Sequence, residues 1–309
     1  MTGELTRRDA IAVLAAAALG CGARSSPASS AKAGDERLLL QRRIPSGDEM
    51  IPVIGLGTWQ TFDVGTSASA RDPLAEVLAA FVQLGGRVVD SSPMYGNSET
   101  VLGDLAMKLD VRDDLFVATK VWISGKEKGV AQMTASEQKL RGRVDLMQVH
   151  NLVDAEAHLE TLKEWKAAGR IRYIGVTHYT SSAYAELARF LGRDGIDFVQ
   201  VNYSLAERQA ERRILPLAYD RRVAVLVNRP FGGGSLFSTV RKKPLPDFAA
   251  DLGCTSWAEL FLKFVVSHPA VTCAIPATSK VEHLRQNMNA GRGIIPDEPM
   301  RKRIVDAMA

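Results

Sequence analysis

The chain has 309 residues, of which 46% are hydrophobic and 24% are charged, and its formal net charge is +4 at pH 7. This composition is typical of a globular protein, and one α/β barrel with its loops uses about 250 residues. The 39 basic and 35 acidic residues are spread along the sequence. The sequence contains no basic stripe with interleaved aromatic residues, so it lacks the pattern that nucleic-acid-binding proteins usually show.

The N-terminal segment differs from the rest of the chain. Arg7 and Arg8 precede an apolar run over residues 11–20, and small and polar residues follow. This order resembles a twin-arginine export signal, although Ala10 replaces the bulky aromatic residue often found there. The run is too short for a membrane span, which needs about 20 residues. We expect residues 1–33 to form an export signal and a disordered linker; an ordinary disordered N-terminus is the alternative.

Export would use the twin-arginine export machinery and would place the protein in the periplasm or, through a lipid on Cys21, on the outer side of the inner membrane. Cys21 directly follows Ala18-Leu19-Gly20, which resembles a lipoprotein processing site with its leucine displaced by one position. Simple cleavage further along the chain is the alternative to lipidation. An inactive signal would leave the protein in the cytoplasm.

The two remaining cysteines, Cys254 and Cys273, have no neighbouring Cys or His at metal-ligand spacing. Two cysteines in a long chain imply no disulfide framework, so we expect both to be small buried apolar residues. The sequence therefore gives no indication of a metal centre.

A hairpin and eight strand–helix units follow. Apolar stretches over residues 38–41 and 50–53 flank turn residues and predict a hairpin that caps the closed end of a barrel. Short apolar runs then alternate with helical patterns, which predicts a single (β/α)8 TIM barrel over residues 34–309. The predicted strands cover residues 53–56, 87–90, 115–120, 146–150, 171–176, 198–202, 223–228 and 272–276. The predicted helices cover residues 73–84, 98–108, 130–140, 156–168, 182–191, 209–220, 256–267, 281–290 and 299–308.

Local signals fix some of the helix ends. Asp72 is expected to cap the first helix, with Pro73 at its first position, where the missing N–H costs nothing. Gly85 and Gly169 are expected to end helices directly before strands. Residues 232–253 form the longest irregular connection in this prediction, and they are either a lid over the barrel mouth or a solvated insertion.

Four residues with different chemistry lie at or just after the carboxyl ends of predicted strands: Asp90, Tyr95, Lys120 and His150. Taken singly, each has an ordinary structural explanation, such as a helix cap, a packed rim residue or a solvated side chain. In a barrel, however, the carboxyl ends of the strands converge on one mouth, so these side chains are expected to share a pocket. A carboxylate, a phenol, an ammonium and an imidazole form a proton-transfer site that requires no metal.

The segments around these residues resemble the aldo-keto reductase superfamily. They occur in the family's order between about residues 38 and 290, and six such segments in register are far more specific than any one alone. The resemblance implies an NAD(P)H-dependent reductase of aldehydes or ketones on a barrel. The segments are GLGTW at 55–59, Asp90-Ser91-Ser92-Pro93-Met94-Tyr95-Gly96, ATKVW at 118–122, MQVHN at 147–151, IGVTHY at 174–179 and IPATSKVEHLRQN at 275–287.

Carbonyl reduction needs a hydride for carbon and a proton for oxygen. A free tyrosine, with a pKa of about 10, is a weak acid near neutral pH. We expect the ammonium of Lys120 to lower the pKa of Tyr95, which then acts as general acid. Asp90 would keep the buried Lys120 charged, and a neutral His150 would donate a hydrogen bond to the substrate carbonyl. The resemblance assigns the same roles to these positions.

The cofactor's adenosine phosphate is expected at the helix after the last strand. Thr278, Ser279 and Lys280 open that helix, whose free N–H groups and dipole favour an anion. The resemblance implies NADPH, with NADH less favoured. Because Ala277 and His283 stand where some branches of the family carry Lys and Arg, the preference for the 2′-phosphate depends mainly on Lys280. The residues that match adenine contacts elsewhere in the family are Gln286 and Asn287.

At the nicotinamide end, the resemblance implies a different set of contacts. Thr177 and His178 take the place of a usual Ser-Asn pair, and Gln200 matches the amide that binds the carboxamide. Asn228 stands where an aromatic ring often stacks on the nicotinamide, so one packing contact is lost. The other expected cofactor residues follow Asn228 directly and are Arg229, Phe231 and Gly232. The glycine run that begins at Gly232 would let the backbone approach the pyrophosphate, or it opens a flexible loop.

The substrate is expected to enter between side chains beside the catalytic strand ends. The candidates are Trp59, Met94, Trp122 and Asn151, with core packing as the alternative for the apolar residues among them. The chain continues for only 22 residues after Asn287, and a short tail predicts an open pocket with weak discrimination among carbonyl substrates.

Two other functions remain compatible with the sequence. The first is an NADPH-binding sensor or interaction subunit with little turnover, which the substitution at Asn228 favours and the retention of four catalytic groups opposes. The second is a phosphate-binding barrel isomerase or lyase, which would use a carboxylate or a Schiff-base lysine and would bind no nicotinamide. The prediction that we carry forward is an exported NADPH-dependent carbonyl reductase with Tyr95 as its acid.

Overall fold

The computed structural model describes residues 38–308. The predicted export signal, with Arg7, Arg8 and Cys21, lies outside these residues. The boundary between a leader and the barrel at residue 34 therefore stays a prediction.

The described chain begins with a short antiparallel hairpin. Strand β1 (Gln41–Arg43) pairs with β2 (Met50–Pro52), with Arg42 opposite Ile51. Ile44 and Ile51 are fully buried and pack against the apolar residues inside the barrel. The predicted hairpin cap is confirmed. Its first strand begins at Gln41, three residues later than predicted, and Leu40 before it accepts a hydrogen bond from Val53 N–H and donates one to the carbonyl of Gly291.

Eight parallel strands form the barrel, and each pairs with its neighbour in the sequence. The first and last of them meet through parallel bridges between Ile54 and Ala274 and between Gly57 and Ala277, which close the sheet. The predicted (β/α)8 fold is thus confirmed. The strands are β3 (Leu56–Gly57), β4 (Val88–Asp90), β5 (Phe116–Val121), β6 (Leu146–His150), β7 (Tyr173–Thr177), β8 (Phe198–Asn202), β9 (Ala224–Asn228) and β10 (Cys273–Ala274).

Helices surround the sheet and bury their apolar faces against its outer side. The helices are α1 (Ala68–Gln83), α2 (Ser98–Lys108), α3 (Lys126–Lys139), α4 (Ala155–Ala167), α5 (Tyr184–Leu191), α6 (Ile214–Asp220), α7 (Ser235–Val240), α8 (Trp257–Ser267), α9 (Val281–Asn289) and α10 (Glu298–Asp306). Gly85 and Gly169 follow α1 and α4 with φ of 88° and 71°, the left-handed conformation expected of C-terminal caps. In the part of the chain from residue 38 to 308, no helix has the length and apolar character needed to cross a bilayer.

Three predictions about the elements are wrong. The predicted helix over residues 209–220 is a 3₁₀ helix (Gln209–Arg212) followed by α6, with Arg213 in a non-helical conformation between them. Asp72 does not cap α1, because the alanine-rich segment before it extends the helix by more than a turn and Ser67 becomes the N-cap; Pro73 then lies inside the helix. The connection over residues 232–253 is not irregular, since it contains α7 and short 3₁₀ helices over Gly232–Gly234 and Asp247–Leu252. Leu236 of α7 packs against Phe261 of α8, which gives this segment an apolar face of its own.

The barrel interior changes from apolar to polar along the strands. Side chains alternate between the two faces of a strand, so every second residue points inward. Phe116, Leu146, Phe198 and Leu226 belong to one buried cluster inside the barrel. Further toward the carboxyl ends of the same strands, the inward positions are polar. Gln148, Gln200 and Asn228 lie two residues beyond Leu146, Phe198 and Leu226, and Lys120 lies two residues beyond the buried Ala118. Asp90 holds the corresponding position after Val88 in β4. Cys254 and Cys273 are buried and form no disulfide within the described range, as expected.

Candidate active site

A buried ion pair forms the base of the site. Nζ of Lys120, at the carboxyl end of β5, lies 2.6 Å from Oδ2 of Asp90 in the adjacent strand β4 and 2.6 Å from the carbonyl oxygen of Ser91. Lys120 is 0% exposed and Asp90 is 2% exposed. At this depth each charge depends on the other, because an unpaired ion in the interior would lose its hydration without compensation.

The second oxygen of Asp90 accepts hydrogen bonds from two amides. Nε2 of Gln148 in β6 lies 3.0 Å from Oδ1, and Nε2 of Gln200 in β8 lies 2.8 Å from the same atom. The carboxylate is therefore bound by an ammonium on one oxygen and by two amides on the other. Gln148 was not among the residues predicted from the sequence. Its position two residues before His150 could have indicated it, because that spacing puts both side chains on the inward face of one strand.

Tyr95 lies above the ammonium. Nζ of Lys120 is 5.0 Å from the centre of the Tyr95 ring. The expectation that the pKa of Tyr95 is lowered is wrong in its net direction: burial raises this pKa, the charge of Lys120 lowers it, and Asp90 raises it, with the increase prevailing. The phenol is consequently protonated at neutral pH, the form that can donate a proton.

The same neighbours act on Lys120 in the opposite sense. Burial lowers the pKa of its ammonium, but Asp90 and Tyr95 raise it, and the balance is a raised pKa. Lys120 therefore stays charged across the physiological pH range, as expected from the sequence. Its charge is available to stabilise negative charge that develops on Tyr95.

His150, the last residue of β6, completes the group. Its ring and that of Tyr95 have centroids 5.9 Å apart in an edge-to-face arrangement. Nδ1 lies 3.1 Å from the hydroxyl of Ser92, another residue that was not predicted from the sequence. Burial, with the charge of Lys120 and then His178, lowers the pKa of His150 to about 2. The imidazole is thus neutral, which agrees with the sequence-based expectation.

Apolar side chains line the rim beside this group. Trp59, Met94 and Trp122 are 47%, 39% and 42% exposed, which argues against core packing for them. The Trp122 ring centroid is 6.3 Å from that of His150. Asn151 follows His150 with φ of 52°, and its Oδ1 is buried without a hydrogen-bond partner among the described residues.

The residues predicted to bind the nicotinamide lie in adjoining strands. Thr177 ends β7, and its hydroxyl lies 3.5 Å from Oε1 of Gln200. The ring of His178 stacks on Tyr179, with centroids 5.6 Å apart and planes 8° apart. Asn228 ends β9, where its Nδ2 lies 3.4 Å from both the carbonyl of His178 and Oε1 of Gln200. These side chains form a continuous polar edge of the mouth.

Arg229, Phe231 and Gly232 continue from β9. Arg229 pairs with Glu207 at 3.3 Å, and its Nε is buried without a partner within residues 38–308. Phe231 packs against Phe237 of α7 with ring centroids 5.0 Å apart. Gly232 is buried, with φ of 60°, a conformation that favours glycine. Phe231 therefore contributes to the packing of α7 as well as to this edge.

The start of α9 is the expected phosphate site. Lys280 is its N-cap and makes no side-chain capping hydrogen bond with any residue that the structure describes, so the first N–H groups of the helix are open to a ligand. Thr278 is buried and accepts a hydrogen bond from the Lys280 backbone at 3.1 Å. The remaining candidates on this segment differ in exposure: Ser279, Lys280 and His283 are exposed, Gln286 is half-buried and Asn287 is buried.

Two similar known proteins are a reductase and a dehydrogenase by name. The chain is 30% identical over 250 residues to methylglyoxal reductase YeaE of Escherichia coli, an alignment that covers 78% of this chain and 86% of the relative. It is 27% identical over 275 residues to pyridoxine 4-dehydrogenase of the same organism, with 82% and 93% covered.

These comparisons correct the predicted location. The family match begins at residue 53, and the relatives are described as reductases or dehydrogenases, not as exported proteins or lipoproteins. The prediction of a periplasmic or membrane-anchored protein is therefore wrong.

Solved structures and a family model agree on the classification. An aldo/keto reductase from Klebsiella pneumoniae, solved in complex with NADP and acetate, superimposes with a TM-score of 0.72 at 27% identity, covering 83% of this chain and 91% of that one. The model of the aldo/keto reductase family matches residues 53–303. With the closed barrel and the Asp90–Lys120 pair below Tyr95, these matches establish that the chain is an enzyme of the aldo/keto reductase family.

Proposed function

We propose that this protein reduces the carbonyl group of aldehydes and ketones, with NADPH as hydride donor and Tyr95 as general acid. The observation that carries the proposal is the contact between Tyr95 and the fully buried ammonium of Lys120, whose Nζ lies 5.0 Å from the ring centre. A protonated phenol beside a permanent positive charge can release its proton when an alkoxide develops nearby.

Each polar group then has one task. Tyr95 gives its hydroxyl proton to the substrate oxygen, and Lys120 stabilises the phenolate that remains. Asp90 holds Lys120 in place, since its Oδ2 lies 2.6 Å from the ammonium. The neutral imidazole of His150, whose pKa burial lowers to about 2, donates a hydrogen bond to the substrate oxygen without competing as an acid.

The polar edge of the mouth fits a nicotinamide dinucleotide. Oδ1 of Asn228 and Nε of Arg229 are buried and lack partners among the described residues, which is uncommon for polar atoms unless a ligand or water completes them. At the other end, the open start of α9 with Thr278, Ser279 and Lys280 suits a phosphate. NADPH supplies the hydride when it is bound. Support for the cofactor comes from the Klebsiella pneumoniae structure, described as a complex with NADP.

Small carbonyl compounds are the proposed substrate class. The rim residues Trp59, Met94 and Trp122 are apolar and exposed, so they can contact a hydrophobic or compact substrate without enclosing it. The name of the relative YeaE, methylglyoxal reductase, supports a short dicarbonyl as the first compound to test.

A single assay tests the proposal. Oxidation of NADPH is followed by absorbance with methylglyoxal and with aromatic aldehydes, for the parent protein and for Tyr95→Phe, while NADPH binding is measured by fluorescence. We expect turnover by the parent, its loss in Tyr95→Phe by a factor of about 10² or more, and similar cofactor affinity in both. Tight NADPH binding without turnover by the parent would instead identify a sensor or interaction subunit.

A further inference from the structure

We propose that Asn228 binds the carboxamide of the nicotinamide cofactor through its side-chain carbonyl oxygen, a contact that the family resemblance assigned to Gln200. The inference rests on the proposed function, because it concerns how that cofactor is held. It differs from the expectation at both positions: Gln200 becomes a positioning residue for Asp90, and Asn228 supplies a hydrogen bond where a stacking ring was expected.

Both polar atoms of the Gln200 side-chain amide, Nε2 and Oε1, have hydrogen-bond partners within the protein. Nε2 donates to Oδ1 of Asp90 at 2.8 Å and lies 3.3 Å from Oε1 of Gln148. Oε1 accepts from the Thr177 hydroxyl at 3.5 Å and from Asn228 Nδ2 at 3.4 Å. Nε2 is thus held by the buried carboxylate of Asp90, and Oε1 already accepts from two donors, whereas Oδ1 of Asn228 accepts from none among the described residues.

The amide of Asn228 can take only one orientation in this environment. Its Nδ2 faces two acceptors, the carbonyl oxygen of His178 and Oε1 of Gln200, each at 3.4 Å. Rotation of the amide by 180° would place its oxygen against two other oxygens, so Nδ2 must be the atom on that side. Oδ1 consequently points away from both, and it is buried without a partner in the described part of the chain.

Asn228 lies at the mouth end of its strand. Asn228 is the last residue of β9 and lies on the inward face of the strand, two residues beyond Leu226 of the interior cluster. In the neighbouring strands, Thr177 stands opposite both Gln200 and His150 in the register. An unpartnered acceptor in this ring of inward residues is complementary to an N–H donor, and the carboxamide is the group on the nicotinamide ring that carries one.

A comparison of two nucleotides isolates the contact. In 3-acetylpyridine adenine dinucleotide phosphate, a methyl group replaces the carboxamide NH₂, so the ligand keeps its carbonyl and loses its donor. Dissociation constants of NADP⁺ and this analogue are measured by calorimetry for the parent, Asn228→Leu and Asn97→Leu. Leucine preserves the shape of asparagine without its oxygen. Asn97→Leu is the matched control, because it makes the same replacement at an exposed asparagine before α2 that is not among the proposed cofactor contacts.

The parent and the control should bind NADP⁺ about 3- to 10-fold more tightly than the analogue, the range that one hydrogen bond provides. Asn228→Leu should bind the two nucleotides with equal affinity. An unchanged preference in Asn228→Leu, or no preference in the parent, would overturn the inference; the second result does not require any variant to fold. Failure of the parent to bind either nucleotide would overturn the proposed function itself, and this outcome is distinct from the others.

Discussion

Gln148 in β6 donates a hydrogen bond to Asp90 in β4, across one intervening strand, with 3.0 Å between Nε2 and Oδ1. The strand that separates them, β5, contributes Lys120 to the other oxygen of the same carboxylate. Gln148 thus fixes the orientation of Asp90, and through Asp90 it fixes the ammonium below Tyr95.

Replacement of Gln148 by Leu should weaken both stability and catalysis. A hydrogen bond to a charged group contributes about 1.5–3 kcal/mol, so we expect a loss of this size in the free energy of unfolding, measured with urea. We also expect kcat to fall about tenfold with little change in KM, because Lys120 is less well held while the rim is untouched. Gln138→Leu, on the exposed face of α3, is the matched control. Equal kcat in Gln148→Leu and the parent would contradict the positioning role.

The Asp90–Lys120 pair should show strong coupling. Lys120→Met leaves a buried carboxylate without its ion partner, which costs about 3–5 kcal/mol of unfolding free energy. The double variant Lys120→Met/Asp90→Asn removes the uncompensated charge, so it should recover much of this stability but no activity. Chemical denaturation and the NADPH assay measure the two effects separately. Additive destabilisation in the double variant would show that the pair is not coupled.

Stability should depend on pH through His150. The folded state holds this imidazole neutral, with its pKa lowered from 6.5 to about 2, whereas the unfolded chain takes up a proton below 6.5. The stabilising contribution is therefore complete above pH 6.5 and is lost as the pH falls toward 2, by about 1.4 kcal/mol per pH unit.

Replacing the imidazole tests this dependence. Between pH 4 and 6.5, the unfolding free energy should rise less steeply with pH in His150→Asn than in the parent. The difference in slope corresponds to about one proton taken up on unfolding. His283→Asn alters an exposed histidine on α9 and should retain the slope of the parent. Identical slopes in all three proteins would mean that His150 is not the group responsible.

Lys280 should determine the choice between NADPH and NADH. Its ammonium is exposed at the start of α9, where a 2′-phosphate would gain a charge interaction that NADH cannot make. We expect Lys280→Met to weaken NADPH binding about tenfold and to leave NADH binding unchanged, as measured by fluorescence titration. The exposed lysine in Lys128→Met, on α3, is the control. A parallel loss for both cofactors would assign Lys280 to another part of the nucleotide.

Much of the site could be predicted because it follows from strand ends. Asp90, Lys120 and His150 each end a buried apolar run, and barrel closure brings such positions together whatever the loops do. Gln148 was not predicted. A single polar residue inside an apolar strand indicates a site only when it is known to point inward and when its hydrogen-bond partner is known. The eight strands were predicted for the same reason that the candidate catalytic residues were: each strand is a short apolar run.

Other features depend on distances that a sequence does not contain. Burial raises the pKa of Tyr95 and the charge of Lys120 lowers it, so the net direction depends on how deeply the phenol is buried. The depth of burial of a residue outside a strand cannot be read from its neighbours in the chain. The first helix begins before Asp72 because the helix-favouring residues Ala68, Ala70 and Arg71 outweigh a single capping signal. The hydrogen bond from Gln200 to Asp90 likewise depends on the distance between residues 110 positions apart in the chain.

The hairpin at the base of the barrel has a consequence for biogenesis. Ile44 and Ile51 pack with Cys273 and Ile275, and Arg42 donates to the carbonyl of His268, 226 positions later in the chain. The segment that closes the floor is thus synthesised long before the residues on which it rests. The contacts between these two isoleucines and the last strand can therefore form only after almost the whole chain has been synthesised.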